Sequence, residues 1–272
     1  MSKLKTHRRK KHREKLVHSF GLPHMICFRV TRFCNARCGF CLAPPDGGIH
    51  PPFEILKQRI DWLFTNGVKT IHFCGGEPTI HHHLPELIGY VNKQGKKSKL
   101  TTNGISISEE LIRTLRLCST TVKVSLHGPC EHHNDVVGLD AFDRTTSGIR
   151  RLVSAGVSTS VQTTIVSGHL DVVDWIIQFC LDNKIQLVSF LPFIPRGNGK
   201  ESRGKYELSS DERRYLQYRV RQEKLKFRRR LDIRLLDFNS QPIHVVESDG
   251  RVMLESATEA RDVLLYRINT TS

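Results

Sequence analysis

From residue 25 onward the chain alternates between two rhythms of apolar and polar positions. Short apolar runs at 26–32, 70–74, 98–102, 121–126, 157–165 and 185–192 read as buried strands. Between them, at about 53–66, 84–94, 108–117, 143–155 and 171–183, apolar residues recur at helical spacing. Ser108, with Glu110 in the first turn, and Asp171 mark two helix starts. Gly67, Gly95 and Gly156 fall in the turns that end helices. Successive β-to-α steps with apolar strands imply an α/β fold whose parallel sheet curls toward a barrel. Six strands fall short of the eight in a closed barrel. Past residue 200 the pattern changes to a long helix over 209–229 and a segment at 231–238. A hairpin then runs from Ile243–Val246 through Asp249-Gly250 to 252–254. The chain therefore divides into an arm at 1–24, a barrel at 25–200, and a helix and hairpin at 201–272 expected to cover the barrel.

Composition narrows the class. With 38% hydrophobic and 25% charged residues in 272, the chain can bury a core of its own. It has no apolar run of membrane-spanning length and no apolar segment after its basic start, so no membrane association and a cytoplasmic location are expected. The net charge of +15 is concentrated in residues 1–20 and 211–234. The first stretch reads as a disordered, solubilising arm, with contact to nucleic acid or another anionic partner as the alternative. The second reads as an exposed helix face.

The chemistry begins at Cys34-Asn35-Ala36-Arg37-Cys38-Gly39-Phe40-Cys41, a C-x₃-C-x₂-C spacing. Three thiolates with no fourth suit a four-iron cluster that keeps one iron open. A zinc site is the alternative, with His50 or one of His81, His82 and His83 as fourth ligand. The other cysteines are scattered singly, so a disulfide framework is disfavoured.

Further segments take the reading beyond the triple cysteine. Gly75-Gly76-Glu77-Pro78 ends the second strand, Thr101-Thr102-Asn103-Gly104 follows the third, and Val124-Ser125-Leu126-His127-Gly128 follows the fourth. In these segments and in the C-x₃-C-x-Phe-C loop, residues 25–197 resemble the radical S-adenosylmethionine (SAM) superfamily, including its molybdopterin-cyclase, SPASM and viperin-like types. The resemblance implies a partial (β/α)6 TIM-like barrel, open on one side, with a C-terminal helix and β-hairpin extension. It implies one 4Fe-4S cluster on Cys34, Cys38 and Cys41, with SAM chelated to the open iron. It implies reductive cleavage of SAM to a 5′-deoxyadenosyl radical that abstracts hydrogen from substrate. It also implies an electron donor of flavodoxin or ferredoxin type.

The resemblance carries over residue by residue to the cofactor contacts. Phe40 would pack near the adenine. Gly75, Gly76, Glu77 and Pro78 would present backbone carbonyls to the methionine ammonium, where a Cβ would obstruct. Thr102 and Asn103 would supply polar contacts, and Ser125 would bond the methionine carboxylate or the ribose. Thr163 aligns with a SAM-holding position, and Ile194 with the adenine pocket. Many relatives follow the barrel with a cysteine-flanked hairpin that holds an auxiliary cluster. This chain has no cysteine after Cys180, so a single cluster is expected.

Substrate-facing residues come from the strand ends. Arg29, a charge inside an apolar strand, is either a partner for an anionic substrate group or half of an internal salt bridge. Cys74 and Cys130, in the loop after the fourth strand, are candidates to return a hydrogen atom to a product radical, as some family epimerases require. His127 is a candidate substrate contact or proton shuttle. The expected substrate is a polar small molecule or nucleotide-like metabolite. The alternatives are a ribosomal peptide, or a nucleic acid bound through the basic stretches.

Overall fold

The computed structural model describes residues 21–46, 50–238 and 242–270. Most of the basic arm (residues 1–20), and residues 239–241 and 271–272 of the expected cover, lie outside the described residues. Six strands, β1 (Met25–Arg29), β2 (Thr70–Cys74), β3 (Lys97–Thr102), β4 (Thr121–Ser125), β5 (Thr159–Ile165) and β6 (Leu187–Pro192), pair in parallel, each with the next. The crossovers are α1 (Phe53–Thr65), α2 (Leu84–Lys93), α3 (Glu109–Leu117), α4 (Cys130–Val137), α5 (Phe142–Ser154) and α6 (Val172–Asp182). After a short α7 (Arg203–Tyr206), α8 (Ser210–Phe227) leads to β7 (Asp232–Leu235), which extends the sheet in parallel beyond β6. At the other edge β8 (Ile243–Val246) pairs in parallel with β1, followed by antiparallel β9 (Arg251–Glu255) and β10 (Val263–Arg267).

Period-2 alternation sets the two faces of this sheet. Ile26 and Phe28, Ile71 and Phe73, Val122 and Val124, and Val188 and Phe190 are buried in one core with Leu56, Ile60 and Leu63 of α1. The residues between them, among them Cys27, His72, Lys123 and Gln162, take the opposite face. That face is concave. Lys123 on β4 is within electrostatic reach of both Cys27 on β1 and Arg234 on β7. Each of those strands is three places away in the sheet order. The strand order has two free ends, β10 and β7, so the barrel is partial. Its mouth is tied across by Arg196, just past β6, which reaches Glu255 at the end of β9 (3.2 Å) and Asp262 (2.8 Å).

Capping chemistry fixes two helix starts. Ser108 accepts from Leu111 N at the start of α3. Ser209 and Glu212 form a capping box on α8, and the same Glu212 carboxylate accepts from Ser167 Oγ and Gly168 N, pinning α8 to the loop after β5. Asp171 precedes α6 but makes no side-chain cap.

Three features differ from the sequence reading. The loop expected after β4 holds α4, which buries only His133, Val136 and Val137 and so shows no long apolar stripe. A further strand, β10, lies beyond the hairpin. The hairpin itself joins the sheet edge beside β1, and what reaches the mouth is its acidic side chains.

Candidate active site

The loop after β1 is gripped on three sides. On the first, Val30 N, Gly76 N and Glu77 N continue the β1–β2 pairing through Cys74 O (3.1 Å), Thr31 O (2.9 Å) and Phe33 O (2.8 Å). A Cβ on Gly75 would lie 2.4 Å from Thr31 O, and one on Gly76 would lie 2.0 Å from Phe33 O. The two glycines are thus required by the loop packed on them, a reason additional to any bound ligand. On the second side, Arg37 N and Gly39 N donate to Val137 O and Val136 O at the end of α4 (3.0 and 3.3 Å). On the third, Asn198 N donates to Cys41 O (3.0 Å) and Asn198 Nδ2 to Cys38 O (3.3 Å).

Cys34, Cys38 and Cys41 sit on this loop as free, half-buried thiols. Burial pushes the Cys34 thiol up to about 11 and the Cys38 thiol up to about 12, and the neighbouring cysteines and Glu77 add to both shifts. Burial raises Cys41 as well, against the pull of Arg32 and Arg29. Three crowded thiols that resist ionisation fit a strongly positive resident group. Among the described residues, no three His, Cys, Asp or Glu side chains converge on one ion position. A cluster needs no such convergence, because each cysteine binds a different iron. Of the four histidines offered as a fourth zinc ligand, His81 is committed elsewhere, its ring bonding Pro51 O (3.0 Å) and the amide of His83 (3.3 Å).

Glu77 is buried and its carboxylate is fully engaged. Oε1 accepts from Thr79 N (3.0 Å), Thr79 Oγ1 (2.7 Å) and Thr102 Oγ1 (2.6 Å), and Oε2 from Asn103 N (2.7 Å). Burial raises its pKa and these bonds oppose the rise. Thr102 Oγ1 also accepts from Gly104 N. Asn103 Nδ2 donates to Asn35 Oδ1 within the cysteine loop (2.7 Å). The Glu77 and Thr102 side chains therefore position the loops. Pro78 opens a single helical turn, Pro78–Ile80, capped by Glu77.

The remaining predicted residues separate into those at the rim and those committed elsewhere. Phe40 meets the His127 ring edge-on at 4.8 Å and Tyr206 at 6.5 Å. Ser125 is half-buried at the end of β4, on the concave face. Ile194 is buried just past β6. Thr163 points the other way, fully buried with its hydroxyl donating to Leu126 O (2.6 Å). Its neighbours Gln162 and Thr164 are the ones in concave register. His127 is buried, and its Nδ1 accepts from Thr164 N (3.1 Å). Burial, with His133 and His132 nearby, holds its pKa well below the ordinary range. The bond from Thr164 N ties the loop after β4 to β5. Cys130 is the exposed first residue of α4, touched by Asn134 of the same helix.

Arg29 resolves to the second of its two readings. Its Nη1 bonds Glu247 and Glu255 Oε1 (2.7 Å), and its Nη2 bonds Glu255 Oε2 (2.8 Å). Arg32 also reaches Glu247 (3.5 Å). Cys74 remains on the concave face at the rim, sharing a hydrogen bond with Cys27 that raises Cys74 and lowers Cys27. Asn35, Asn198 and Lys123 were not singled out from sequence. Only Lys123 left a signal, as a charge between two valines in a strand.

The buried histidines imply an acid limit. Burial lowers His81 and His133 to about 4. An unfolded histidine near 6.5 takes up its proton first as pH falls. Their contribution is thus complete above about 6.5 and is lost as pH drops toward 4, by up to about 1.4 kcal/mol per pH unit for each histidine. The urea midpoint should fall across that window, and His133→Gln should flatten the decline.

The sequence model of the radical SAM superfamily matches residues 28–179. The Fe-coproporphyrin III synthase of Methanosarcina barkeri is 29% identical over 183 residues, covering 65% of this chain and 46% of its own. The mycofactocin maturase MftC of Mycolicibacterium smegmatis is 31% identical over 163 residues, covering 56% and 41%. The chain thus spans about half the length of the curated relatives it matches. Streptococcus suis SuiB, solved with its precursor peptide SuiA, shares the fold at a TM-score of 0.75 with 18% identity, over 94% of this chain and 64% of that one.

Proposed function

The chain belongs to the radical SAM superfamily, and on that premise we propose that it cleaves SAM reductively and abstracts hydrogen from a polar substrate held on the concave face of the barrel. The observation that carries this reading is the docking of the three-cysteine loop on Gly75 and Gly76, whose Cβ positions are filled by Thr31 O and Phe33 O. Cys34, Cys38 and Cys41 would hold the 4Fe-4S cluster. With SAM bound to it, that group supplies one-electron cleavage of SAM and a hydrogen-abstracting 5′-deoxyadenosyl radical.

The protein's own contribution is placement. The Glu77, Thr102 and Asn103 bonds fix the ends of β2 and β3 against Asn35, so the rim does not shift when ligand enters. Phe40 and Ile194 offer apolar surface beside the rim, and Ser125 a hydroxyl on its inner side. Cys74 would be the thiol that returns a hydrogen atom. A flavodoxin- or ferredoxin-type donor would deliver the electron.

The relatives do not choose the substrate: one is named for a coproporphyrin and another for mycofactocin maturation. A small polar metabolite is the first reading. A peptide is the second, favoured by the fold shared over 94% of the chain with a peptide-bound enzyme. Among the described residues no helix is long and apolar enough to cross a membrane.

The test is anaerobic reconstitution with iron and sulfide, then reduction in the presence of SAM. Binding of about four irons and formation of 5′-deoxyadenosine are expected. Deuterated candidate substrates should pass deuterium into that product. A protein that binds iron yet leaves SAM intact under reduction would overturn the proposal.

A further inference from the structure

Resting on the reading above, we propose that the substrate presents an anionic group, a carboxylate or a phosphate, to Lys123 inside the barrel.

The valine–lysine–valine alternation of β4 forces Lys123 inward. Val122 and Val124 are buried against the helices, so Lys123 and Ser125 share the concave face. Lys123 lies two residues below Ser125, about 7 Å deeper from the rim. Its Nζ donates to Gln162 Oε1 (3.0 Å), a neutral acceptor. The charged groups that face it are Lys99 and Arg234, both of its own sign, and the Cys27 thiol. Arg234 is already held by Asp232 (2.8 and 2.5 Å). Among the described residues no carboxylate pairs with this half-buried ammonium, and the anion-forming group that faces it is the Cys27 thiol.

The carboxylates nearest the mouth are taken by arginines: Glu247 by Arg29 and Arg32, Glu255 by Arg29 and Arg196, and Asp262 by Arg196. Sequence alone offered Arg29 either for an anionic substrate group or for an internal salt bridge, and Glu247 and Glu255 neutralise it. Lys123 is a cation on the same face that no described carboxylate neutralises. Cys27 senses Lys123 and shares a hydrogen bond with Cys74, and Cys74 directly precedes Gly75, which packs against the cysteine loop. A substrate anchored by its anion at Lys123 would reach back about 7 Å toward the rim.

Cys27 is a built-in reporter, half-buried on the same face, with its thiolate favoured by the hydrogen bond from Cys74. On the full chain reconstituted with its cluster, alkylation at each cysteine would be followed by peptide mass spectrometry. Iodoacetate carries a negative charge and iodoacetamide none. Their rate ratio at Cys27 should exceed that at exposed Cys130 and fall about tenfold in Lys123→Met. Lys123→Arg, which keeps the charge, should restore it and guards against a misfolded variant. Acetate and inorganic phosphate at equal ionic strength should slow iodoacetamide at Cys27, and the stronger protector identifies the anion. An equal ratio in wild type and Lys123→Met overturns the site, as does protection that survives Lys123→Met. The readout needs neither SAM nor turnover. Failure of SAM cleavage would count against the proposed function, and unchanged alkylation selectivity against the anion site alone.

Discussion

Cys38→Ala should abolish 5′-deoxyadenosine formation and strip most of the iron from the reconstituted protein. Cys38 is the middle ligand of the three, and its thiol is pushed up to about 12 by burial and by Cys41 and Cys34. It therefore depends on bound iron to ionise. Removing it leaves two thiols on a loop whose backbone is still fixed by Gly76, α4 and Asn198, so the fold should persist while the cluster is lost. Iron and sulfide analysis, visible absorption and product assay on the same preparation check this. Cys118→Ala is the control. Cys118 caps the end of α3, away from the cysteine loop, and should leave iron content and product within about twofold of wild type. Full activity in Cys38→Ala would remove the basis of the functional proposal.

The legible parts of this fold were those set by local period. All six barrel strands and the crossover helices expected between them appear within a few residues of their predicted bounds, because each strand buries a continuous apolar face against an amphipathic helix. α4 escaped because its buried set is His133, Val136 and Val137 on an otherwise polar turn, yet its last two carbonyls hold the cysteine loop. The cysteine triplet and the two glycines were legible as spacing. The glycines' packing reason was not, since Thr31 O and Phe33 O come from another strand's loop. Side-chain destinations were the least legible. Thr163, one place along β5 from an inward position, faces the helices, and His127 is walled in by Phe40 and His133. A period of two makes an error of one residue an error of face.

Arg29→Met should be among the most destabilising single changes in this protein, lowering stability by about 3–5 kcal/mol. For a domain of this size that corresponds to a fall of roughly 10 °C in melting temperature. Arg29 is buried, and its partners lie 218 and 226 residues away, so the guanidinium joins β1 to both ends of the β8–β9 hairpin. Methionine fills the space of the stem and leaves Glu247 and Glu255 facing each other across it. Arg32 and Arg196 still touch them (3.5 and 3.2 Å), which limits the loss without removing it. Adding Glu247→Gln and Glu255→Gln should recover most of the stability at neutral pH, because a buried ion network is costly to break from one side and cheap to remove whole. Urea and thermal unfolding of the single and triple variants measure all of this without any substrate. They also separate the two roles that sequence left open for Arg29. A residue that only bound substrate would leave the melting temperature unchanged on substitution, and the two glutamine changes would then have nothing to rescue.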